Sequence, residues 1–192
     1  MSVVSYIVIA LAFGLVNMLL FRRCGEATPV RLTSGLLIVL VVAVVHALLY
    51  YSGILVGGLL MLRSPDDSHL YDDVNAYIFL GMVIVVVIKM FFPYLRREPR
   101  LPVFDLSRGG TVLGMAVVTG INVLLPGIGV GFVAKDPSVH VILWPLLIFN
   151  LVLGYLGLMY GRQKVQMRPR RWMVLACVLL LVTAIAACVN AG

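Results

Sequence analysis

The chain has 192 residues, 62% of them hydrophobic and only 12% charged, where a soluble domain carries about 25% charge. A chain of this length cannot bury so much apolar surface in a water-soluble core, and its mean hydropathy of +1.09 points to lipid as its solvent. The net charge of +7 does not mark a nucleic-acid partner, because the basic residues are spread between apolar runs instead of forming one patch.

About 20 apolar residues make a helix long enough to cross the hydrocarbon layer. The chain offers six such runs, at 3–21, 35–62, 76–95, 110–133, 139–161 and 172–189. Backbone groups cannot stay unpaired in lipid, so each run is expected to be helical. None alternates apolar with polar residues, which argues against a β-barrel. The expected fold is an all-α integral membrane protein of six transmembrane helices, one domain over residues 1–192.

In the first run no Lys or Arg precedes the apolar stretch, and Arg22 and Arg23 follow it. That order suits an N-terminus outside the cytoplasm and no cleaved leader. Cys24 falls in the basic loop that follows. The second run carries His46 and the glycines Gly53, Gly57 and Gly58. After it comes Ser64-Pro-Asp66-Asp67-Ser-His69-Leu-Tyr-Asp72-Asp73, with four carboxylates and a histidine. Such ligands suit hard cations such as Mn²⁺ or Ca²⁺. The segment matches no defined metal loop, however. It reads first as a solvated connection in which Asp72 or Asp73 caps the third helix. Lys89 sits near the cytoplasmic end of that helix, where it can snorkel.

The fourth run is the most irregular, with Asn122 followed by Pro126-Gly127-Ile-Gly129-Val-Gly131. Proline removes a backbone donor, so a bend or break is expected there, with freed carbonyls available to an ion. The fifth run holds Asn150 and Gly154, Gly157 and Gly161, the last three suited to close helix packing. Cys177 and Cys188 share the sixth run, about 16 Å apart along the axis, too far for a disulfide.

Loop charge sets the expected orientation. Arg22, Arg23 and Arg31 lie in the first connection, Arg96, Arg97, Arg100 and Arg108 in the third, and Arg162, Lys164, Arg168, Arg170 and Arg171 in the fifth. The second and fourth hold only Arg63 and Lys135. The positive-inside rule puts the first, third and fifth connections in the cytoplasm and both termini outside. All eight acids, Glu26, Asp66, Asp67, Asp72, Asp73, Glu98, Asp105 and Asp136, are placed in loops and none in a span.

Dividing the chain into 1–95 and 109–192 gives two three-helix halves. An odd span count forces them into opposite orientations, the arithmetic of an inverted repeat. Gly14-Leu-Val-Asn17-Met-Leu-Leu in helix one is echoed by Gly120-Ile-Asn122-Val-Leu-Leu in helix four. Four polar side chains lie inside the spans. Counted from the helix ends, His46, Asn122 and Asn150 fall near mid-membrane and Asn17 nearer the cytoplasm. They can be interhelical glue or a midplane binding site.

Taken together, these segments resemble the MntP-type manganese efflux pumps of the LysE-like transporter group, along most of the chain. Leu11-Ala-Phe13-Gly14-Leu-Val-Asn17 resembles that family's opening segment, in which an intramembrane Asp follows an Ala-Phe-Gly run. His46-x-x-Leu49-Tyr50-x-x-Gly53-x-x-x-Gly57 is similar to its pattern of Gln or Glu, Met-Pro and spaced glycines. Val118-Thr119-Gly120-Ile121-Asn122-Val-Leu-Leu-Pro-Gly127-Ile-Gly129 is similar to its Ala-Thr-Ser-Ile-Asp segment, and Gly157-x-x-x-Gly161-Arg162 to the end of its fifth helix.

The resemblance implies a bacterial cytoplasmic membrane, export of a divalent cation and manganese as cargo, with no resident cofactor. Its two intramembrane aspartates correspond here to Asn17 and Asn122, its acidic or amide position in helix two to His46, and a late Glu of helix three to Pro93. Asparagine offers a carbonyl oxygen but no charge, so such a site holds Mn²⁺ far less tightly. The candidate ion site comprises Asn17, His46, Asn122, Asn150, Pro126 and Gly127, the resemblance implying Asn17, His46 and Asn122, and mid-membrane depth and the expected kink adding the others. A non-transporting membrane scaffold or accessory subunit on the same fold is the alternative. An intramembrane enzyme has no support, since the spans hold no nucleophile–base pair and no HExxH or GxSxG motif.

Overall fold

The computed structural model describes residues 2–28, 30–60, 68–95, 103–133 and 139–189. They form α1 (Val3–Ala27), α2 (Leu32–Leu60), α3 (Ser68–Leu95), α4 (Gly109–Val133), α5 (Val139–Arg162) and α6 (Pro169–Val189), with no strand among the described residues. All six helices are long and apolar enough to cross a membrane. The chain is a multi-pass membrane protein.

The helices run past the apolar stretches, because the backbone gains nothing by unwinding where the hydrocarbon ends. α1 takes in Arg22, Arg23, Cys24 and Glu26 and is closed by Thr28, whose N–H donates to the Cys24 carbonyl at 2.8 Å. Its start is capped by the Ser2 hydroxyl, which accepts from the Ser5 N–H at 3.3 Å. Three of the acids assigned to loops therefore stand in helices: Glu26 in the last turn of α1, Asp72 and Asp73 in the second turn of α3. Neither aspartate is an N-cap, since α3 begins at Ser68. Cys24 is not in a loop but buried, packed with Phe21, Val39 and Leu106. All three cysteines are free.

α1 lies along α5, and α2 along α4. α2 also touches α5, while α3 packs on α4 and α6, and α6 on α1. This scheme is unchanged when the first three helices are exchanged for the last three. Glycines set both main seams. A Cβ on Gly157 would fall against the backbone of Met18, and one on Gly161 against Arg22 and Glu26. In the other seam, Gly53 meets the backbone of Leu124 and Ile128, and Gly57 that of Ile128 and Gly131. Positions rise together along each seam, so α1 runs parallel to α5 and α2 to α4. Without side chains the helices approach to backbone contact, which is how bundles in lipid gain dispersion energy without a hydrophobic drive.

The two seams match in detail. His46, Gly53 and Gly57 have the same spacing along α2 as Asn150, Gly157 and Gly161 along α5. Gly14 rests on Phe149 and Leu153 as Gly120 does on His46 and Leu49. Phe21 fills the space above Gly154, where on the other seam Tyr50 fills that above Gly127, so large and small residues have traded helices. In this register Asn17 is matched by Val123, and Asn122 by Val16. The two asparagines are not counterparts, because Asn17 stands three residues after its glycine and Asn122 two after its own.

α4 does not break at Pro126; it is helical from Gly109 to Val133. Pro126 is buried, and in apolar surroundings every further lost backbone bond would go unpaid, so the helix gives up only the one donor that proline lacks. α3 and α5 likewise pass through Pro93 and Pro145. The end of α1, the end of α3 and the start of α6 gather at one pole of the bundle, around Arg23, Tyr94 and Met173. Cys24 of α1, Leu106 of the α3–α4 connection and Val112 of α4 pack together at that same pole. At the opposite pole the Cys188 thiol donates to the Ala76 carbonyl at 3.4 Å.

Candidate functional site

α1, α2, α4 and α5 each bring a polar side chain to the middle of the bundle. Asn17, His46 and Asn150 are all buried, at 3%, 1% and 0% exposure. The Asn17 amide splits its two protons. One goes to His46 Nδ1 at 3.1 Å, the other to Asn150 Oδ1. Asn17 is thus level with the other two rather than nearer one face; counting from Phe21 misplaced it, because α1 continues to Ala27.

The remaining bonds fix the direction of every proton. Thr119 Oγ1 donates its proton to the Met115 carbonyl at 2.7 Å, so toward His46 Nε2, 3.0 Å away, it accepts. His46 therefore carries its proton on Nε2, and Nδ1 accepts from Asn17. The imidazole is neutral. Asn150 Nδ2 donates to the Leu146 carbonyl at 2.8 Å, which closes the far end of the chain. Gly120 leaves the room on α4 that lets His46 and Leu49 approach.

Beside this network lies a cavity of about 170 Å³. Asn17, His46, Thr119 and Asn122 line it at the level of the network, and Arg23, Lys89, Tyr94 and Met173 line it toward the pole where α1 and α3 end. Phe13 also lines it, its ring edge-on to that of buried Tyr50 with centroids 6.5 Å apart and planes at 62°. Asn122 makes no bond with the other three. Its Oδ1 is buried and has no hydrogen-bond partner.

The chain is similar to manganese efflux pumps. Two curated proteins of Dehalococcoides mccartyi, strains BAV1 and CBDB1, each named "Putative manganese efflux pump MntP", are 27% identical to it over 108 residues, 55% of this chain and 54% of the relative. The chain spans about half the length of the curated relatives it matches. No family model matches it. No solved structure matches it either.

Several sequence expectations are relocated by the fold. Pro126 and Gly127 do not line the cavity; Gly127 sits in the α2–α4 seam against the Tyr50 carbonyl, and with α4 unbroken no carbonyl is freed there. Asn150 lies behind Asn17 and reaches the cavity only through it. Asp66, Asp67 and the His69 side chain lie outside the described residues. Asp72 and Asp73 belong to α3, and no group of three His, Cys, Asp or Glu able to hold a metal occurs among the described residues. Thr119 and Arg23 were not singled out from the sequence. Thr119 could have been found three residues before Asn122, on the same helical face. Arg23 could not, because it reads as an ordinary flanking arginine.

The two asparagines should respond in opposite ways to a neutral, apolar replacement. Asn17→Leu strands His46 Nδ1 and Asn150 Oδ1 without a donor and should cost about 2 kcal/mol. Asn122→Leu removes an acceptor that already lacks a partner, so it should leave stability unchanged or raise it by about 1 kcal/mol. Thermal unfolding of the detergent-solubilised chain checks both. Equal losses for the two would mean that Asn122 holds helices together as Asn17 does.

Proposed function

We propose that the chain is a solute carrier of the bacterial cytoplasmic membrane, built from two inverted three-helix halves, with the cavity between α1, α3 and α4, reached by His46 of α2, as its substrate site. The observation that carries this reading is Asn122 Oδ1. It is buried at the cavity wall with nothing to accept from, whereas its polar neighbours are bonded to one another. An unpaired buried acceptor is costly and is kept where a ligand completes it. The printed names of the relatives describe efflux, which supports a transport role. The pairing of the helices, invariant to exchange of the halves, supports alternating access. The asymmetry of basic residues between the connections supports a topology with the Arg23 and Lys89 end of the cavity toward the cytoplasm and both termini outward. Manganese, if carried, is cargo and not a cofactor.

The Asn17–His46–Thr119–Asn150 network, whose members bond one another, favours a second reading, a membrane scaffold held together by these bonds. Cysteine accessibility separates the two without knowledge of the substrate. In a background with Cys24, Cys177 and Cys188 changed to alanine, Asn122→Cys should react with a membrane-impermeant thiol reagent in inverted vesicles. It should react also, more slowly, in right-side-out vesicles, because a carrier exposes its site to both faces in turn. Ser107→Cys should react only in inverted vesicles and Ser2→Cys only in right-side-out ones. Labelling of Asn122→Cys from one face alone would favour the scaffold, and Ser2→Cys labelled from the cytoplasmic face would reverse the topology.

A further inference from the structure

We infer that the solute is a small organic anion bearing a carboxylate; this rests on the carrier reading and names its substrate class. The charges of the cavity argue for it. Arg23 and Lys89 both line the cavity, on α1 and α3, and no Asp or Glu occurs among the described lining residues. Among the described residues the one ion pair is that of Arg108 with Asp105, at 3.7 Å, outside the cavity. Arg23 and Lys89 are thus free to meet an incoming charge.

From Arg23 to Asn17 is six residues of α1, about 9 Å along the axis. A molecule of a few heavy atoms spans that distance, with its carboxylate at the two cations and its other end at the asparagines. Cations lining a cavity without a carboxylate concentrate anions and repel divalent cations. Arginine offers a planar fork matched to a carboxylate. Asn122 Oδ1 accepts a hydroxyl or N–H from the body of the solute. The inner cluster is neutral, with His46 held as an acceptor at Nδ1, so nothing there competes for the carboxylate.

Val16, which lines the cavity, supplies the reporter. In the cysteine-free full chain in proteoliposomes, Val16→Cys should react at least threefold faster with an anionic methanethiosulfonate than with a cationic one. Acetate or succinate at millimolar concentration should slow labelling by a neutral maleimide at least threefold, against chloride at equal ionic strength. Choline and Mn²⁺ should not. Adding Arg23→Gln or Lys89→Gln should raise the half-protecting concentration about tenfold, while Arg23→Lys keeps most of the protection and shows that charge and not folding is read. Arg108→Gln, outside the cavity, should change nothing. Protection by Mn²⁺ or choline, or no protection by either anion up to 50 mM with a rate ratio near one, would overturn the anion assignment. Neither result touches the carrier reading, which stands or falls on two-sided labelling of Asn122→Cys.

Discussion

Gly157→Ala is expected to destabilise the bundle by about 3 kcal/mol. The added methyl would lie 2.8 Å from the Met18 carbonyl carbon and Cα and closer still to its oxygen. Those are backbone atoms, fixed by the helix of α1, and cannot turn aside as a side chain can. Relief requires α1 and α5 to separate along their whole seam. The separation pulls Asn17 from Asn150, because the same two helices carry them. Loss of stability and loss of the site should therefore go together. Gly57→Ala should behave alike on the α2–α4 seam, where its Cβ would meet Ile128 and Gly131. Gly114→Ala is the control. Nothing lies within 4 Å of a Cβ there, and replacing a helical glycine by alanine should add about 0.5–1 kcal/mol. Unfolding in detergent, followed by the accessibility of buried Cys24 to a thiol reagent, measures all three. If Gly157→Ala and Gly114→Ala unfold alike, the glycine seams do not hold the helices.

Asn122→Asp should change what the site accepts. The substitution keeps the shape and places a negative charge at an oxygen that has no partner and lines the cavity. At an effective dielectric near 20, a unit charge about 9 Å away acts with about 2 kcal/mol. Even heavily screened, that should weaken carboxylate protection by about tenfold or more and favour a divalent cation. In an exporter-deficient bacterium the native chain should give at most weak manganese tolerance. Asn17→Asp with Asn122→Asp should increase that tolerance and lower cellular manganese at matched membrane expression.

The two aspartates should not contribute equally. Asn17 donates to both His46 Nδ1 and Asn150 Oδ1, and a carboxylate there can donate to neither. Asn17→Asp needs a proton on His46 Nδ1 and a turned Asn150 amide, so alone it should destabilise the chain and export little. Asn122→Asp should carry most of the gain. Strong export by the native chain would show that a neutral site suffices. Export by none of the variants, with one-sided labelling of Asn122→Cys, would leave the polar groups as helix glue.

The sequence by itself determined the membrane class, the six spans and the glycines that pack them. It also carried the asymmetry of basic residues on which the topology rests. Each of these depends on quantities that add up locally along the chain: transfer of each side chain to lipid, the need to pair every backbone group there, and the absence of a Cβ. The helix ends escaped it for the same reason. Hydropathy marks where hydrocarbon stops, not where the backbone unwinds, so by hydropathy alone Cys24, Glu26, Asp72 and Asp73 read as loop residues and Asn17 as lying nearer a face.

Only the tertiary structure decided which faces meet. It joined Asn17, His46, Thr119 and Asn150 into one directed network and set Asn122 apart from them. It kept α4 whole through Pro126, where local reasoning about proline expected a break, because an apolar bundle penalises every further unpaired backbone group. It also turned Arg23 and Lys89, two unremarkable flanking cations in the sequence, toward one cavity that holds no described carboxylate. Hydrogen bonds and cavity charge are properties of pairs and groups on different helices, and no one-dimensional pattern fixes which of them come within reach.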